Sequence, residues 1–200
     1  MFLFLESYRY QPPEPTVLQR FQGFGRRLVH KKYTSLSLGA IAAKQINVYE
    51  VEGMDIWERL YVRAKEQYHP ENVSPFIDAH HVVCALESEN GEIYTGFCIE
   101  SCSGVMNLCA ERVAALNMYV NSGQTVIKRM IAFRDAPPSV ELGEGSGMPC
   151  GACREFLMQL SRKNMNMEIM VDYEKREIVT LEELMPKWWG MERYNKQIDD

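Results

Sequence analysis

Apolar and polar positions follow two clear periods in the chain from Asp55 onward. In the segment DIWERLYVRAKEQYH the apolar side chains recur at near-helical spacing, which predicts a helix with Asp55 as its N-cap and Pro70 as its stop. The segments AHHVVCALES and EIYTGFCIE are rich in strand formers, and the letters ENG between them are typical of a tight turn. The pattern therefore predicts a helix followed by a β-hairpin.

Helical and strand patterns alternate through the rest of the chain. Four segments follow the hairpin in turn: a helix in NLCAERVAALNMYVNSG that Gly123 closes, a strand in VIKRMIAFRD, a helix in CREFLMQLSRK and a strand in MEIMVDY. TLEELMPKWW predicts a short helix capped by Thr180, with Glu183 three residues later, and ERYNKQIDD is predicted to be a solvated tail. Strands that alternate with helices indicate an α/β fold in which helices cover a sheet.

The first 53 residues do not show the pattern of a domain. QPPEP predicts a turn or an extended linker, and GFGRRLVHKKY mixes glycines with a basic cluster. We predict an N-terminal arm, flexible or loosely docked, over residues 1–53 and a catalytic domain over residues 54–200. Two alternatives stay open. The basic cluster contacts an acidic partner, or the arm is not part of the working protein, since Met54 begins a stretch long enough for a complete domain.

Composition and charge narrow the classes of function. The chain has 200 residues, of which 46% are hydrophobic and 24% charged, and this suits one compact domain. Residues 1–53 carry a net charge of +3 and residues 54–200 one of −8. Because an acidic domain is a poor candidate for following a phosphate backbone, we predict no nucleic-acid partner and a small, uncharged or cationic substrate.

The lengths of the apolar runs indicate whether the chain is expected to cross a membrane or to be secreted. They are far shorter than the roughly 20 residues that span a bilayer. The start MFLFLESYRY is apolar for only five residues, and no basic residue precedes them. We therefore predict no membrane partner, no secretory signal and a cytoplasmic protein. Six cysteines in such a chain favour metal binding or catalysis over a disulfide framework.

Two of these cysteines, Cys150 and Cys153, lie in GMPCGACREF, behind Pro149 and at the start of a predicted helix. On its own their spacing fits a redox pair, half of a metal site or two buried thiols. A second element, CAER, starts another predicted helix at Cys109. Three thiols at two helix N-termini supply three of the four tetrahedral positions of zinc and leave one for water. The arrangement indicates a catalytic site with one Zn²⁺ per chain.

Charged residues beside the three thiols fit this interpretation. Three thiolates and one Zn²⁺ carry a net charge of −1, which the helix N-termini and the adjacent Arg112 and Arg154 can offset. Glu111 lies two residues after Cys109, a position suited to holding the water rather than the metal. Zinc deaminases have this order of residues: His or Cys, a spacer, a Glu acid/base and then P-C-x-x-C.

The motifs CAERVAAL, PCGACREFL and TLEELMP resemble the cytidine deaminase family, in particular its small three-cysteine branch, whose members are usually tetramers. The resemblance runs from about Asp55 to Trp189. It implies a three-layer α/β/α fold around a central mixed sheet of about five strands, and a homotetramer, with a dimer as the alternative. It also implies a zinc-dependent hydrolase that converts cytidine or deoxycytidine to the uracil nucleoside and ammonia, as in pyrimidine salvage.

The resemblance also assigns roles to single residues. In this family zinc lowers the pKa of its water, and Glu111 takes the water's proton before C4 of the base is attacked. Glu111 then passes protons to the ring nitrogen and to the departing amine. The backbone at Ala110 is expected to contact the base, and Arg112 is expected to hydrogen-bond to the ligand thiolates.

Two segments depart from the family pattern near the expected sugar site. Where the family has N-x-E-N, this chain has Cys98-Ile99-Glu100-Ser101. Glu100 can accept a hydrogen bond from a sugar hydroxyl, whereas the Cys98 thiol is a poor substitute for an amide. NVSPFIDAHHVVCAL replaces Y-S-x-F-x-V-G-A, and Phe76 is predicted to stand in for the aromatic residue. Cytidine or deoxycytidine is the best single prediction, and a nucleoside analogue such as blasticidin S is the alternative.

For six further residues the sequence supports either two alternative roles or a purely structural role. His80 and His81 are candidates to face the pocket, although histidines on a half-buried strand are more often structural. Cys84 and Cys102 are predicted to be buried as small apolar side chains. Trp188 and Trp189 either cap the substrate or are buried at a subunit interface.

Three other functions stay open beside the deamination of a free nucleoside. They are a nucleic-acid-editing deaminase, a zinc-stabilised binding protein without activity, and thiol redox chemistry. The acidic domain argues against the first. The presence of Glu111 argues against the second, because a purely structural zinc site has no use for that carboxylate. The pairing of Cys109 with Glu111 would be unexplained by the third.

Overall fold

A computed structural model of the chain describes residues 53–142 and 147–196. Its helices are α1 (Ile56–Lys65), α2 (Ala110–Ser122), α3 (Gly151–Leu160), α4 (Leu181–Leu184) and α5 (Met191–Lys196). Its strands are β1 (Glu71–Ser74), β2 (Ile77–Ser88), β3 (Ile93–Ser101), β4 (Ile127–Phe133), β5 (Glu168–Asp172) and β6 (Glu177–Thr180). Single 3-10 turns lie at Gly104–Met106, Val140–Leu142 and Arg162–Asn166.

The six strands form one mixed sheet, in which β2 pairs with three other strands. The strand order runs β3-β2-β4-β5-β6, and the short β1 pairs with the first residues of β2. β4 and β5 pair in parallel, and every other pair of these strands is antiparallel. The parallel pair places α3, which connects β4 to β5, against the sheet.

Helices cover both faces of the sheet. Successive residues of a strand point to opposite faces, and β2 shows this directly. Val83 packs in a cluster with Trp57 and Leu60 of α1, whereas Leu86 packs in a second cluster with α2 and α3. All these side chains are buried. The structure therefore confirms the three-layer α/β/α architecture, with α2 and α3 side by side on one face.

Local sequence signals end or begin several of these elements as predicted. Asp55 caps α1 by accepting hydrogen bonds from the backbone of Trp57 and Glu58, and Glu58 bonds back to the Asp55 backbone. Gly123 closes α2 at a φ of 71°, in the left-handed region that favours glycine. Thr180 caps α4 as predicted, but that helix is only four residues long.

Two strands and one helix were not predicted from the pattern, and with those strands the described sheet has six, in agreement with the mixed sheet of about five that the resemblance implies. β1 and β6 are short and mostly exposed, and α5 lies where the sequence predicted a solvated tail. Nearly all of the predicted arm, residues 1–53, lies outside the described residues. Within the described ranges no helix is both long and apolar enough to cross a membrane.

Gly96 of β3 lets the sheet approach α2 closely. A Cβ atom at this position would overlap the backbone nitrogen of Ala114 and the backbone oxygen of Ala110. We expect Gly96→Ala to lower the free energy of unfolding by about 3 kcal/mol or more, because the backbone of a helix cannot yield as a side chain does. Thermal or urea unfolding of the full chain measures this.

Gly104→Ala is the matched control for this change. Nothing lies within 4 Å of the position a Cβ would take at Gly104, so its unfolding free energy should stay close to that of the wild type. Equal stability of the two variants would contradict the close approach of β3 to the first turns of α2.

Candidate metal centre and active site

Three thiol groups meet at the N-terminal ends of α2 and α3. The Cys109 and Cys150 sulfur atoms are 3.6 Å apart, and the Cys150 and Cys153 sulfur atoms are 3.5 Å apart. All three sulfurs lie within 4.8 Å of one another. Cys109 and Cys150 are the N-cap residues of the two helices, and Cys153 lies in the first turn of α3.

The backbone at both N-caps leaves the thiols free to bind something else. Cys109 has φ −72° and ψ 149°, and Cys150 has φ −65° and ψ 167°, so both are extended as helix caps usually are. Neither side chain makes a capping hydrogen bond of ordinary geometry, although the Ala152 and Cys153 N–H groups lie close enough to the Cys150 sulfur to act against burial and lower its pKa. The helix N-termini instead place partial positive charge beside the sulfurs, which favours thiolates.

The distances and donor types fit one tetrahedral zinc ion. A Zn–S bond of about 2.3 Å with tetrahedral angles separates two sulfur ligands by about 3.8 Å, close to the separations observed here. Cys102, the other cysteine near this end of α2, is exposed and outside the group. Among the described residues the site therefore offers three thiol ligands and an open fourth position, the donor set of a catalytic zinc site.

The three thiols differ in their acidity. Burial raises the pKa of Cys109, and a hydrogen bond from Arg112 opposes it. Burial raises the pKa of Cys153 far above its ordinary value, and the charge of Glu111 acts in the same direction. Burial also acts to raise the pKa of Cys150, but hydrogen bonds from the Cys153 backbone and from the other two thiols outweigh it and lower that pKa. Cys109 and Cys153, whose pKa values lie above that of an ordinary thiol, therefore need a bound cation to ionise at neutral pH.

Glu111, the second residue of α2, lies beside these thiols on the wall of a cavity. Its side chain is only 5% exposed. Burial raises the pKa of the Glu111 carboxyl, against hydrogen bonds from its own backbone and from the Cys153 thiol. A carboxyl group held in this way can exchange a proton with a molecule in the cavity while bulk water is kept away.

The two arginines near the thiols have different partners. The Arg112 guanidinium donates to the backbone oxygen of Asn107 at 3.1 Å and lies 3.9 Å from the Cys109 sulfur, at the limit for a hydrogen bond to sulfur. Arg154 was expected to offset thiolate charge as well. Instead it donates to the backbone oxygens of Pro149 and Leu184, at 2.8 and 3.4 Å, and so joins α3 to α4.

The cavity has a volume of about 550 Å³ and opens beside Cys109, Cys150 and Glu111. Ala110, Cys98 and Glu100, which the sequence predicts to lie near the substrate, also line this cavity. Such a volume lies within the range of small-molecule sites. The Cys98 sulfur accepts a hydrogen bond from the Val82 backbone at 3.1 Å and lies 3.9 Å from the Glu100 carboxylate.

Other predicted pocket residues lie away from this cavity. Phe76 is 66% exposed in the turn between β1 and β2 and does not line it. Trp188 and Trp189 both donate their indole N–H groups to Glu155, at 2.9 and 3.0 Å, and neither lines it. Within the described chain, these three residues therefore lie outside the wall of this cavity.

Two further cysteines and two histidines were predicted either to be buried in the structure or to face the pocket. Cys84 is fully buried, as predicted, but Cys102 is exposed, because the turn that follows β3 carries it out of the core. His80 is buried against Phe97 rather than lining the cavity, and His81 is half-buried and also absent from the cavity wall. Because neither histidine lines the cavity, a structural role is the interpretation that fits both of them.

Sequence reasoning missed several residues of the cavity wall. Arg134 and Asp135 reach it from the end of β4, and Asn107 reaches it from the segment before α2. Asn107 also accepts a hydrogen bond from the Ser101 backbone at 2.7 Å, so it fixes the end of β3. The strand prediction for β4 was available as a signal, because ligands in α/β folds often bind at strand ends.

Comparison with known proteins agrees with this site. The family model for the cytidine and deoxycytidylate deaminase zinc-binding region matches residues 58–169, more than half of the chain. The chain is 30% identical over 110 residues to the blasticidin-S deaminase of Bacillus cereus, across 54% of this chain and 75% of that protein. It is 34% identical over 104 residues to the cytidine deaminase of Sporosarcina psychrophila, across 52% of this chain and 66% of that protein.

Solved structures show the same fold. The cytidine deaminase of Bacillus anthracis superposes with a TM-score of 0.50 at 20% identity, over 72% of this chain and 97% of the other. A point mutant of the Mycobacterium tuberculosis cytidine deaminase gives a TM-score of 0.50 at 23% identity, over 70% of this chain and 99% of the other. The fold is thus shared, and with the family-model match it establishes that this chain belongs to the cytidine and deoxycytidylate deaminase family and is a zinc-dependent hydrolase.

Proposed function

We propose that the chain hydrolyses the exocyclic amine of cytidine or deoxycytidine, giving uridine or deoxyuridine and ammonia. The observation that carries the proposal is the meeting of Glu111 with the thiols of Cys109 and Cys150 on one cavity wall. Three thiol ligands leave room for a water, and the carboxyl group supplies a proton acceptor beside it. A structural zinc site would need neither the open position nor the carboxyl group.

Each residue of the site has a defined part in this reaction. When bound, zinc supplies Lewis-acid chemistry that makes the attacking water acidic at neutral pH. Glu111 accepts a proton from that water, whose oxygen bonds to C4 of the base, and returns protons to the ring nitrogen and to the amine that leaves as ammonia. The Ala110 backbone contacts the base, and the Arg112 guanidinium stabilises negative charge on Cys109.

A nucleoside analogue such as blasticidin S is the second candidate substrate. It is favoured by Cys98, which lines the cavity where the family pattern has an asparagine, and by the similarity to a protein named blasticidin-S deaminase. A panel of cytidine, deoxycytidine, cytosine and blasticidin S, followed by ammonia release, separates the two. We expect the highest kcat/KM with cytidine or deoxycytidine, and turnover of blasticidin S alone would contradict the first proposal.

Glu100 is expected to bind the sugar of the substrate rather than take part in the deamination. It lines the cavity and is exposed to it, so its carboxylate can accept a hydrogen bond from a sugar hydroxyl. Glu100→Gln is expected to lower kcat/KM for cytidine about tenfold, the worth of one hydrogen bond to a charged group. Free cytosine has no sugar and is the control substrate. An equal loss with cytosine would show that Glu100 acts on the base or on the fold.

We further infer a homo-oligomer, most simply a tetramer. The support is a group of exposed apolar side chains on α2 and on the turn before it: Val105, Met106, Leu116, Tyr119 and Val120. Several large apolar side chains left exposed on one helix and the turn before it are typical of an interaction surface. Light scattering on the purified protein should give about four times the chain mass of 23.1 kDa. A monomer at micromolar concentration would contradict this inference.

We also place the enzyme in the cytoplasm, in pyrimidine salvage. The support is the six free cysteines, because thiols persist in reducing compartments. A bacterial strain that needs uracil and lacks its own cytidine deaminase should grow on cytidine when it expresses this chain in its cytoplasm. Absence of growth with the purified protein active on cytidine would contradict the salvage role.

A further inference from the structure

Away from the three thiols, a second group of metal-ligating side chains comes together in the described part of the chain. It consists of His69, Glu71 and His80, whose ligand atoms all lie within 4.8 Å of one another. His69 follows α1, Glu71 begins β1, and His80 lies in the first half of β2. Three successive segments of the chain therefore contribute one ligand-type side chain each.

A bulge in β2 directs His80 into this group. Between Ala79 and Val83 the strand has extra residues relative to β3, where the partners are Ile99 and Phe97. His80 has a φ of 62°, in the left-handed region that non-glycine residues rarely adopt. Its ring stacks on Phe97 at 3.6 Å and is 7% exposed. The backbone is thus held in an unfavourable conformation that buries an imidazole.

The hydrogen bond of His80 sets the ring in the form that binds metals. Its Nδ1 lies 2.7 Å from the backbone oxygen of Gln67. Because a carbonyl oxygen only accepts, Nδ1 carries the proton and Nε2 keeps its lone pair. Metal-ligating histidines almost always donate their other ring N–H in this manner. No hydrogen bond to Nε2 is present among residues 53–142 and 147–196.

The other two side chains are exposed and available. Across the described residues, neither His69 nor Glu71 has a side-chain hydrogen bond or an ion pair. The ring centroids of His69 and His80 are 3.6 Å apart and their planes are inclined by 32°. Packing on Phe97 accounts for His80 alone. It does not account for a second imidazole and a carboxylate whose ligand atoms lie within 4.8 Å of those of His80, and the exposed His69 ring would turn out of its stack on His80 to bind a shared ion.

We propose that His69, Glu71 and His80 form a second metal site, for a divalent first-row transition ion such as Zn²⁺. Two imidazoles and one carboxylate suit zinc, copper or nickel better than magnesium or calcium, which prefer oxygen ligands. Phe97 and Cys98 are neighbours on β3 and point to opposite faces, and Cys98 lines the substrate cavity. The second site is therefore on the face away from the thiols, and its role is structural.

Such an ion would fix the bulge from behind the cavity. Val82 belongs to the same bulge, lines the cavity and donates its backbone N–H to the Cys98 sulfur. An ion that joins His80 to the segments after α1 would hold this backbone in place. Because ligands that bind only the folded state stabilise it, zinc should raise the unfolding temperature through this site.

The test is to count zinc in untagged, full-length protein dialysed against micromolar free zinc, by mass spectrometry of the metal. We expect two zinc ions per chain in the wild type and one in His69→Ala, which removes an exposed side chain whose ring contact is with His80. Glu71→Gln should bind the second zinc at least about tenfold more weakly. His81→Ala, which removes the adjacent histidine outside the group, should keep both ions.

Cys150→Ala separates this site from the catalytic one. That variant should lose the thiol-bound zinc and keep the ion held by His69, Glu71 and His80. One zinc per chain in the wild type, or two in His69→Ala, would overturn the proposal. Neither result depends on whether the protein deaminates cytidine, so the two proposals fail separately.

Discussion

Replacing Glu111 by glutamine is expected to lower kcat for deamination by about 10²- to 10⁴-fold, the range in which a positioned general acid–base acts. Glutamine keeps the shape of the side chain but can neither accept the water's proton nor return it. Glu111 lines the cavity that opens beside the thiols and is almost fully buried, so bulk water has little access to take over its role. Initial rates at saturating cytidine measure the effect.

Two controls separate catalysis from folding in this experiment. The zinc content of Glu111→Gln should equal that of the wild type, because Glu111 is outside the three-thiol group. Glu87→Gln removes another buried carboxyl, one that pairs with Arg129 at 2.7 Å and does not line the cavity. It should retain kcat. Wild-type kcat in Glu111→Gln, or an equal loss in Glu87→Gln, would contradict the role of Glu111.

Cys150→Ala is expected to have the second large effect, on zinc affinity and on turnover together. It removes one of three ligands, so the zinc affinity should fall by more than about 100-fold, the upper range for residues that merely support a ligand. Without the ion the water is not activated, and deamination should fall to background. Zinc content after dialysis and the rate of ammonia release are the two measurements.

Cys102→Ala is the matched control, because Cys102 and Cys150 are both exposed free cysteines and only Cys150 belongs to the thiol group. It should keep zinc and activity. Comparing Cys109→Ala with Cys150→Ala tests thiol redox chemistry, which would need Cys150 and Cys153 but not Cys109. If Cys109→Ala kept full activity while Cys150→Ala lost it, a redox pair would explain the site better than zinc.

Local signals allowed much of the fold to be predicted. A capping carboxylate at Asp55, a left-handed glycine at Gly123 and the turn between β2 and β3 each act within a few residues, so the sequence alone displays them. The thiol site was predictable for a related reason. Its residues are the caps and first turns of two helices, and such positions can be identified from short motifs such as CAER and PCGAC.

Features that depend on distant contacts were not predicted. β1 and β6 have few buried side chains and form because neighbouring strands offer them an edge. α5 is held by Tyr194, whose hydroxyl group lies 2.8 and 2.9 Å from the backbone oxygens of Met158 and Gln159, more than thirty residues away in the chain. Arg134 follows the end of β4, and the strand prediction indicates that end as a place for a ligand without showing which side chains line the cavity there.

The most direct test of the account is removal and return of zinc. Purified protein should convert cytidine to uridine and ammonia in equal amounts, lose this activity when a chelator strips the metal, and regain it when about one zinc ion per chain returns to the thiols. Turnover that survives complete removal of zinc would contradict the account. So would a protein that holds zinc at the three thiols and turns over neither cytidine nor deoxycytidine.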